Sequence, residues 1–206
     1  MKVAGKLIVV TGGGSGIGRE LVLELLRRSA RVVAIDISEA GLAETTRLAA
    51  ASEALATYVV DIMDRPSIEQ LALATKERFG AVDGLINCAG IIQPFVRFQD
   101  LDFGTMERVL GVNLDGTVFM MKAFLPLLLR RPEAHIVNVS SMGGFVPFPG
   151  QTMYGASKAA VKRMRSGNRV MTRHAVLPQV GEHGRAGAKT DTSVARRVGE
   201  TGRALA

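Results

Sequence analysis

The first 160 residues alternate short runs of apolar, often β-branched side chains with longer segments in which apolar residues recur every three or four positions. The short runs are typical of strands, and their nearly continuous apolar character indicates a sheet covered by helices on both faces. The longer segments are typical of amphipathic helices. The pattern predicts five strands, at residues 6–11, 31–36, 55–60, 82–87 and 135–140.

Helices are predicted between these strands. Ile17, Leu21 and Leu25 recur at helical spacing after the first strand, and a single long helix is predicted over 105–131 despite Pro126. Strands that alternate with helices form parallel sheets with right-handed crossovers. The predicted fold class is therefore α/β, a doubly wound parallel sheet (Rossmann fold) of at least five strands.

Charge and aromatic residues divide the chain near residue 161. Residues 1–161 hold 16 Lys and Arg against 16 Asp and Glu, so the net charge of +7 lies entirely in 162–206. All ten Phe and Tyr residues precede position 155. The sequence therefore predicts one folded domain over 1–161 and a basic, Gly- and Arg-rich tail over 162–206 whose composition is typical of disordered chain.

A glycine-rich loop, TGGGSGIG at residues 11–18, joins the first predicted strand to the first helix. Glycines let a backbone turn sharply and approach a ligand, and a helix N-terminus offers free N–H groups to a pyrophosphate. A plain structural turn is the alternative, but the position between strand and helix favours dinucleotide binding. Asp36 ends the second strand, where a carboxylate accepts hydrogen bonds from ribose hydroxyls and repels a 2′-phosphate. NAD is therefore expected over NADP, with an Asp that caps the next helix as the alternative.

Tyr154 and Lys158 are four residues apart, so they share one face of a helix. A free tyrosine titrates near pH 10, and a nearby ammonium stabilises the phenolate and so favours acid/base chemistry at neutral pH. The spacing alone is a common coincidence. Ser140 and Ser141 end the fifth predicted strand, at the sheet edge where such folds bind ligands, and a serine hydroxyl there can donate to a substrate oxygen.

These motifs together resemble the short-chain dehydrogenase/reductase family, in its single-domain branch. The matching pieces keep the family's order and spacing over residues 5–161: TGGGSGIG, Asp36, VDI at 60–62, NCAG at 87–90, Asn113, VSS at 139–141 and YGASK at 154–158. The resemblance implies nicotinamide-dependent interconversion of a secondary alcohol and a carbonyl.

By this resemblance, Tyr154 is the general acid/base, Lys158 stabilises its phenolate and holds the nicotinamide ribose, Ser141 polarises the carbonyl, and Asn113 holds a water in a proton relay to Lys158. Cys88 is expected to be a small buried residue rather than a nucleophile. The residues expected to bind the cofactor are Gly12, Ser15, Gly16, Ile17, Gly18, Asp36, Asp61, Ile62, Asn87, Ala89, Gly90, Tyr154 and Lys158.

The family pattern is lost after Val161. Residues 170–178 offer a strand only with Arg173 and His174 in its middle, so the C-terminal strands are expected to be missing or aberrant. A reading-frame change, a diverged terminus, a solvated tail and a basic arm for nucleic acid or anionic lipid are the competing explanations. The tail has no aromatic residue for base stacking, which disfavours the last of these. His174 and His183 lack metal-ligand spacing, and no metal site is expected.

The favoured function is an NAD-dependent oxidoreductase acting on a small alcohol or carbonyl, with neither nucleic acid nor membrane as a partner. A dinucleotide-binding protein with little turnover, and a nucleic-acid-associated protein that uses the tail, are the alternatives. The family resemblance implies a homo-oligomer built through the helix that carries Tyr154. The apolar run 7–10 is too short for a signal or membrane segment, and a single cysteine suits a reducing compartment, so the expected location is the cytoplasm.

Overall fold

A computed structural model describes residues 1–164 and the backbone of residues 171–177. Over these residues, strands and α-helices follow one another along the chain, and all of the strands belong to one sheet. Their bounds are β1 Leu7–Thr11, α1 Gly16–Arg27, β2 Arg31–Asp36, α2 Glu39–Leu48, β3 Leu55–Val59, α3 Arg65–Phe79, β4 Gly84–Asn87, α4 Phe103–Leu110, α5 Gly116–Leu128, β5 His135–Ser141, α6 Thr152–Arg163 and β6 Met171–Leu177.

The strands form one parallel sheet in the order β3-β2-β1-β4-β5-β6. From β1 the chain adds β2 and β3 on one side of the sheet. It then crosses to the other side of β1, where β4, β5 and β6 follow. The carboxyl ends of β1 and β4 therefore border the crevice in which open parallel sheets bind ligands. The predicted doubly wound parallel sheet is confirmed.

The core lies on both faces of the sheet because successive side chains of a strand point to opposite sides. In β1, Leu7 and Val9 pack in the cluster that includes Phe124 of α5. Ile8 and Val10 pack in a second cluster, with α1 and α2 on the other face. All four are at most 3% exposed. The continuous apolar character of the strand follows directly from this double coverage.

The helix predicted over 105–131 is divided in the structure. A π-helical turn over Gly111–Asp115 separates α4 from α5, and Asn113 lies within it. The side chain of Asn113 is bound to the backbone of Ile91 and to Ser157, and the wider turn accommodates this arrangement. Neither half, nor any other helix in the described part of the chain, is long and apolar enough to cross a membrane.

A sixth strand, β6, lies beyond the five that the sequence predicts, and of the C-terminal strands expected to be missing or aberrant it is the one that falls within the described residues. β6 pairs in parallel with β5 over its full length, from His135 opposite Met171 to Ser141 opposite Leu177. Strand pairing uses backbone N–H and C=O groups, so the polar residues that interrupt the apolar pattern do not prevent it. The rest of the predicted basic tail, residues 165–170 and 178–206 with His183, lies outside the described residues.

Candidate active site

The glycine-rich loop connects β1 to α1 with the geometry of an anion site. Within the described residues no side chain caps the N-terminus of α1, and its first turn contains no acidic residue. The positive end of the helix dipole and its unpaired N–H groups are therefore available to a negative ligand. A Cβ atom at Gly18 would collide with the main-chain carbonyl of Gly12, so the helix packs directly on the loop. Ser15, Gly16 and Ile17 are exposed at the rim. The loop fits a dinucleotide pyrophosphate.

Asp36 lies beside this loop at the end of β2. Its Oδ2 accepts a hydrogen bond of 2.9 Å from the Gly14 N–H, and its Oδ1 accepts one of 2.9 Å from the Ser38 N–H. The cap of α2 is the Ser38 side chain, which accepts from the Gly41 N–H at 3.0 Å. Asp36 therefore joins the glycine loop rather than capping the helix. Each carboxylate oxygen keeps a lone pair for a ribose hydroxyl.

Arg19 is the basic residue next to the glycine loop, and it donates hydrogen bonds inside the protein. Its guanidinium donates to the carbonyl oxygens of Gly14 and Gly41 and, at 3.0 Å, to the hydroxyl oxygen of Thr45. These contacts bind the loop to α2. The guanidinium therefore has a structural role through its Nε and Nη2 atoms.

The predicted adenine contacts follow β3. Asp61 is exposed, and its Oδ1 accepts a hydrogen bond of 2.8 Å from the Met63 N–H. The neighbouring Ile62 side chain is only 7% exposed and belongs to the core cluster that contains Phe124. A ligand at this position would therefore meet the Asp61 side chain and the Ile62 backbone.

The NCAG segment leaves the carboxyl end of β4 next to the glycine loop. Asn87 is 4% exposed, and its Nδ2 donates to Asn138 Oδ1 at 2.8 Å. The N–H groups of Cys88 and Ala89 both donate to the Thr11 hydroxyl oxygen at 3.1 Å. The end of β1 therefore fixes the course of this segment along the crevice.

Ser141, Tyr154 and Lys158 lie together at the carboxyl edge of the sheet. Ser141 ends β5, and its Oγ accepts from the Gly143 N–H at 3.2 Å. The Tyr154 ring packs on the same glycine, since a Cβ built there would lie 3.4 Å from Tyr154 Cε1. Lys158 follows one turn later on α6, with its ammonium 5.9 Å from the centre of the Tyr154 ring. The fold thus places a serine hydroxyl, a phenol and an ammonium around one point.

Lys158 is 5% exposed, and its ammonium donates to the Val139 carbonyl oxygen at 3.1 Å. Burial lowers the pKa of Lys158, and the nearby Cys88 acts in the opposite direction. Burial also raises the pKa of the Cys88 thiol, which the Lys158 charge partly offsets. A partly buried thiol with a raised pKa is a poor nucleophile at neutral pH, as expected for Cys88.

Asn113 connects the π-turn to the active-site helix. Its Oδ1 accepts from the Ile91 N–H at 2.8 Å, and its Nδ2 donates to the Ile91 carbonyl at 2.9 Å and to Ser157 Oγ at 3.0 Å. Gly90 separates this amide from the lysine, because a Cβ built there would lie 3.0 Å from Lys158 Nζ and 3.1 Å from Asn113 Oδ1. A side chain at this position would press on both polar groups.

Three buried polar residues of the site have no assignment in the sequence analysis: Thr11, Gln93 and Ser157. Each binds backbone groups of a segment that carries predicted site residues. The spacing of Gln93 to Tyr154 follows no motif, since the two residues are 61 positions apart along the chain. The one signal in the sequence is that Ser157 lies inside the YGASK motif and Thr11 begins the glycine loop.

A sequence model of the short chain dehydrogenase family matches residues 6–176, which extends the resemblance beyond Val161 to most of β6. The Mycobacterium tuberculosis oxidoreductase SadH is 39% identical over 162 residues, which cover 77% of this chain and 57% of SadH. The chain therefore spans little more than half the length of this relative.

Solved structures show the same similarity. Carveol dehydrogenase from Mycobacterium avium, in complex with NAD, is 26% identical with a TM-score of 0.72 and covers 78% of this chain and 63% of its own. ElxO with bound NADP is 28% identical with a TM-score of 0.72 and covers 76% and 64%. With the family model matching residues 6–176, and with a doubly wound parallel sheet whose edge carries the family's motifs, this chain belongs to the short-chain dehydrogenase/reductase family.

Proposed function

We propose that the chain is an NAD-dependent oxidoreductase that interconverts a secondary alcohol and a carbonyl, with Tyr154 as the general acid/base. The observation that carries this proposal is the meeting of Ser141, Tyr154 and Lys158 at the sheet edge that also holds the anion-binding end of α1. A nicotinamide dinucleotide bound along this crevice supplies the hydride acceptor or donor. The protein's own residues bind the substrate and move its proton.

In the oxidative direction, the Tyr154 phenolate takes the hydroxyl proton while the substrate carbon loses a hydride, and a carbonyl forms. In the reductive direction, the phenol returns that proton to the substrate oxygen. Ser141 Oγ accepts from the Gly143 N–H, so its own hydrogen remains to donate to the substrate oxygen. The Lys158 ammonium stabilises the phenolate, and it keeps two N–H donors after binding the Val139 carbonyl.

Asn113 is proposed to hold a water that relays protons to Lys158. Its Nδ2 hydrogens are both used, but Oδ1 keeps one lone pair after it accepts from Ile91. Gly90 lies against both this oxygen and the Lys158 ammonium, since a Cβ built there would be 3.1 Å from Oδ1 and 3.0 Å from Nζ. The support for the proposed relay is that the two polar groups approach the same residue.

NAD rather than NADP is the proposed cofactor. One related structure holds NAD and another holds NADP, so the preference proposed for this chain depends on its own residues. Asp36 offers a carboxylate at the end of β2, and three of the five N–H groups of Arg19 are engaged by Gly14, Gly41 and Thr45. The wild-type protein is expected to bind NADH more tightly than NADPH. Asp36→Ala is expected to bring the affinities for NADH and NADPH closer together. An unchanged ratio of the two affinities would contradict the role of Asp36.

A small alcohol or carbonyl is the proposed substrate, and the single cysteine supports a reducing compartment such as the cytoplasm. The proposed assembly is a homo-oligomer. Its support is the exposure of two apolar side chains, Val118 of α5 at 43% and Leu129 just after that helix at 38%. Light scattering across a range of protein concentrations tests the assembly, and a monomer at every concentration contradicts it.

The function is tested by fluorescence titration with NADH together with a screen of carbonyl compounds as reducible substrates. Tyr154→Phe removes the phenolic hydroxyl and keeps the ring. It is expected to bind NADH normally and to lose roughly 100-fold or more in turnover, the usual contribution of a general acid. NADH binding without any turnover that depends on Tyr154 would favour the alternative, a dinucleotide-binding protein without catalysis.

A further inference from the structure

Gln93 is a buried residue that the proposed chemistry leaves without a role. It lies three residues after Gly90, in the loop that follows β4, and it is 2% exposed. A buried carboxamide is stable only when its oxygen and nitrogen find hydrogen-bond partners. The partners of Gln93 belong to a different part of the chain, at and just before the start of α6.

The Gln93 carboxamide bridges the segment that begins α6. Its Oε1 accepts from the N–H groups of Met153 and Tyr154, both at 2.9 Å. Its Nε2 donates to the Gly150 carbonyl oxygen at 3.0 Å. The oxygen faces two donors and the nitrogen faces an acceptor, so this set of contacts defines one orientation of the amide.

These contacts are those of a helix N-cap made by a distant residue. The residue at the N-cap position of α6, Gln151, makes no side-chain cap hydrogen bond. Met153 and Tyr154 occupy the second and third positions of the helix, whose N–H groups a capping oxygen normally binds. Gln93 supplies that oxygen from 60 residues earlier in the chain.

The cap acts on the turn that carries the proposed acid/base. Tyr154 and Lys158 share a face only while the first turn of α6 is helical. The Tyr154 carbonyl is bound by Ser157 Oγ at 2.7 Å, and Ser157 is in turn bound by Asn113. Both backbone polar groups of Tyr154 are therefore held by buried side chains, and Gln93 holds the N–H.

We propose that Gln93 is a positioning residue that caps α6 and so keeps Tyr154 in line with Lys158. This inference rests on the proposed function for its catalytic consequence, but the cap itself does not. A loss of the cap lets the first turn fray, so the phenol spends part of its time away from the lysine and the substrate. The pyrophosphate site at α1 is unaffected, whereas the ribose contact proposed for Lys158 on α6 weakens together with the position of Tyr154.

Three variants separate this role from general stability. Gln93→Met has a similar volume but no acceptor. Gln93→Glu keeps an acceptor oxygen at a helix N-terminus, where negative charge is favourable, and loses the donor to Gly150. Asp102→Ala removes the ordinary cap of α4, which accepts from the Thr105 N–H at 2.7 Å, and serves as the matched control.

Two readouts are measured on the full chain: amide hydrogen exchange at Met153 and Tyr154, and steady-state kinetics of carbonyl reduction. In Gln93→Met, both amides are expected to exchange about five-fold faster or more, which corresponds to the loss of a typical cap. The same variant is expected to lose roughly ten-fold in kcat, with a smaller change in its KM for NADH. Gln93→Glu is expected to retain both properties, and Asp102→Ala to change neither at α6.

Wild-type exchange at both amides in Gln93→Met overturns the cap, whatever the activity. Faster exchange with an unchanged kcat overturns the positioning of Tyr154. If Gln93→Met does not fold, Gln93→Glu decides alone, because loss of protection and of kcat in a variant that keeps the acceptor contradicts the proposal. Failure of the proposed function is distinct: wild-type protein then shows no turnover that depends on Tyr154, while the exchange result still decides the cap.

Discussion

The ammonium nitrogen of Lys158 donates a hydrogen bond of 3.1 Å to the carbonyl oxygen of Val139, so the active-site helix is bound to β5 two residues before Ser141. This contact places a charge in a position that is 5% exposed. The protein therefore keeps a cation where folding alone would favour an apolar group.

Lys158→Met is expected to stabilise the fold and to impair the chemistry. Burial lowers the pKa of Lys158 below 10.5, so the charged form costs free energy in the folded state at neutral pH. That cost disappears as the pH rises through the window between the lowered pKa and 10.5. The free energy of unfolding of the variant is expected to be about 1 kcal/mol higher at pH 7. Its kcat is expected to fall by roughly 100-fold or more.

The measurement is chemical unfolding of both proteins from pH 7 to pH 10.5. The free energies of unfolding should converge as the pH rises. A difference that stays constant over this range would contradict a buried charge as its source.

Gly18→Ala is expected to abolish NADH binding. A Cβ at this position collides with the Gly12 carbonyl, which is backbone and cannot rotate away, so the loop must separate from α1. Gly5→Ala is the matched control, because Gly5 has a positive φ of 70° but nothing within 4 Å of the added Cβ. The control should lose about 1 kcal/mol of stability from its backbone conformation and keep its NADH affinity. Similar NADH affinities in the two variants would mean that the packing of loop on helix does not shape the cofactor site.

Asp83→Asn is expected to destabilise the fold at neutral pH. Asp83 is 3% exposed at the start of β4, where it accepts from the Leu7 N–H at 3.0 Å and from Arg131 Nε at 2.7 Å. Burial by itself would raise the pKa of Asp83, but these two bonds and Lys6 hold it below 3.8. The carboxylate therefore contributes stability in full above pH 3.8, which is lost as the pH falls through the lowered pKa.

At pH 7 the free energy of unfolding of the variant should be about 2–3 kcal/mol below that of the wild type, and this difference should become smaller in acid. Urea unfolding of both proteins at pH 7 and below pH 3.8 measures the difference. Glu24→Gln removes a carboxylate from a surface pair with Arg28 and should have much less effect. An equal difference in the free energy of unfolding at both pH values would show that the charge of Asp83 does not contribute to stability.

The two serines at the end of β5 are expected to have separate effects. Ser140 Oγ donates to the Lys158 carbonyl oxygen at 2.8 Å, so Ser140→Ala should lose about 1 kcal/mol of stability and change kcat little. Ser141→Ala should change the free energy of unfolding by no more than about 1 kcal/mol. It should lose roughly 100-fold in kcat. Thermal unfolding and carbonyl-reduction kinetics on both variants test this. A larger kcat loss in Ser140→Ala than in Ser141→Ala would mean that Ser140, not Ser141, acts on the substrate.

The strands of this protein could be predicted because both faces of the sheet are covered. A strand such as Leu7–Thr11 needs apolar residues at every position, which leaves a continuous pattern in the sequence. β6 was harder to predict, because parallel pairing with β5 uses backbone groups that carry no side-chain signature. The break in the helix around Asn113 also depends on contacts with Ile91 and Ser157, which the local sequence does not encode.

The sequence by itself determined the family and the doubly wound parallel sheet, because the motif residues keep a fixed spacing from the strand ends that carry them. Only the tertiary structure decided how that site is supported. The bond from Lys158 to Val139, the position of Asn113 across from Gly90, and the cap that Gln93 gives to α6 join segments far apart in the chain. Such contacts depend on distances that folding creates, so no local pattern records them.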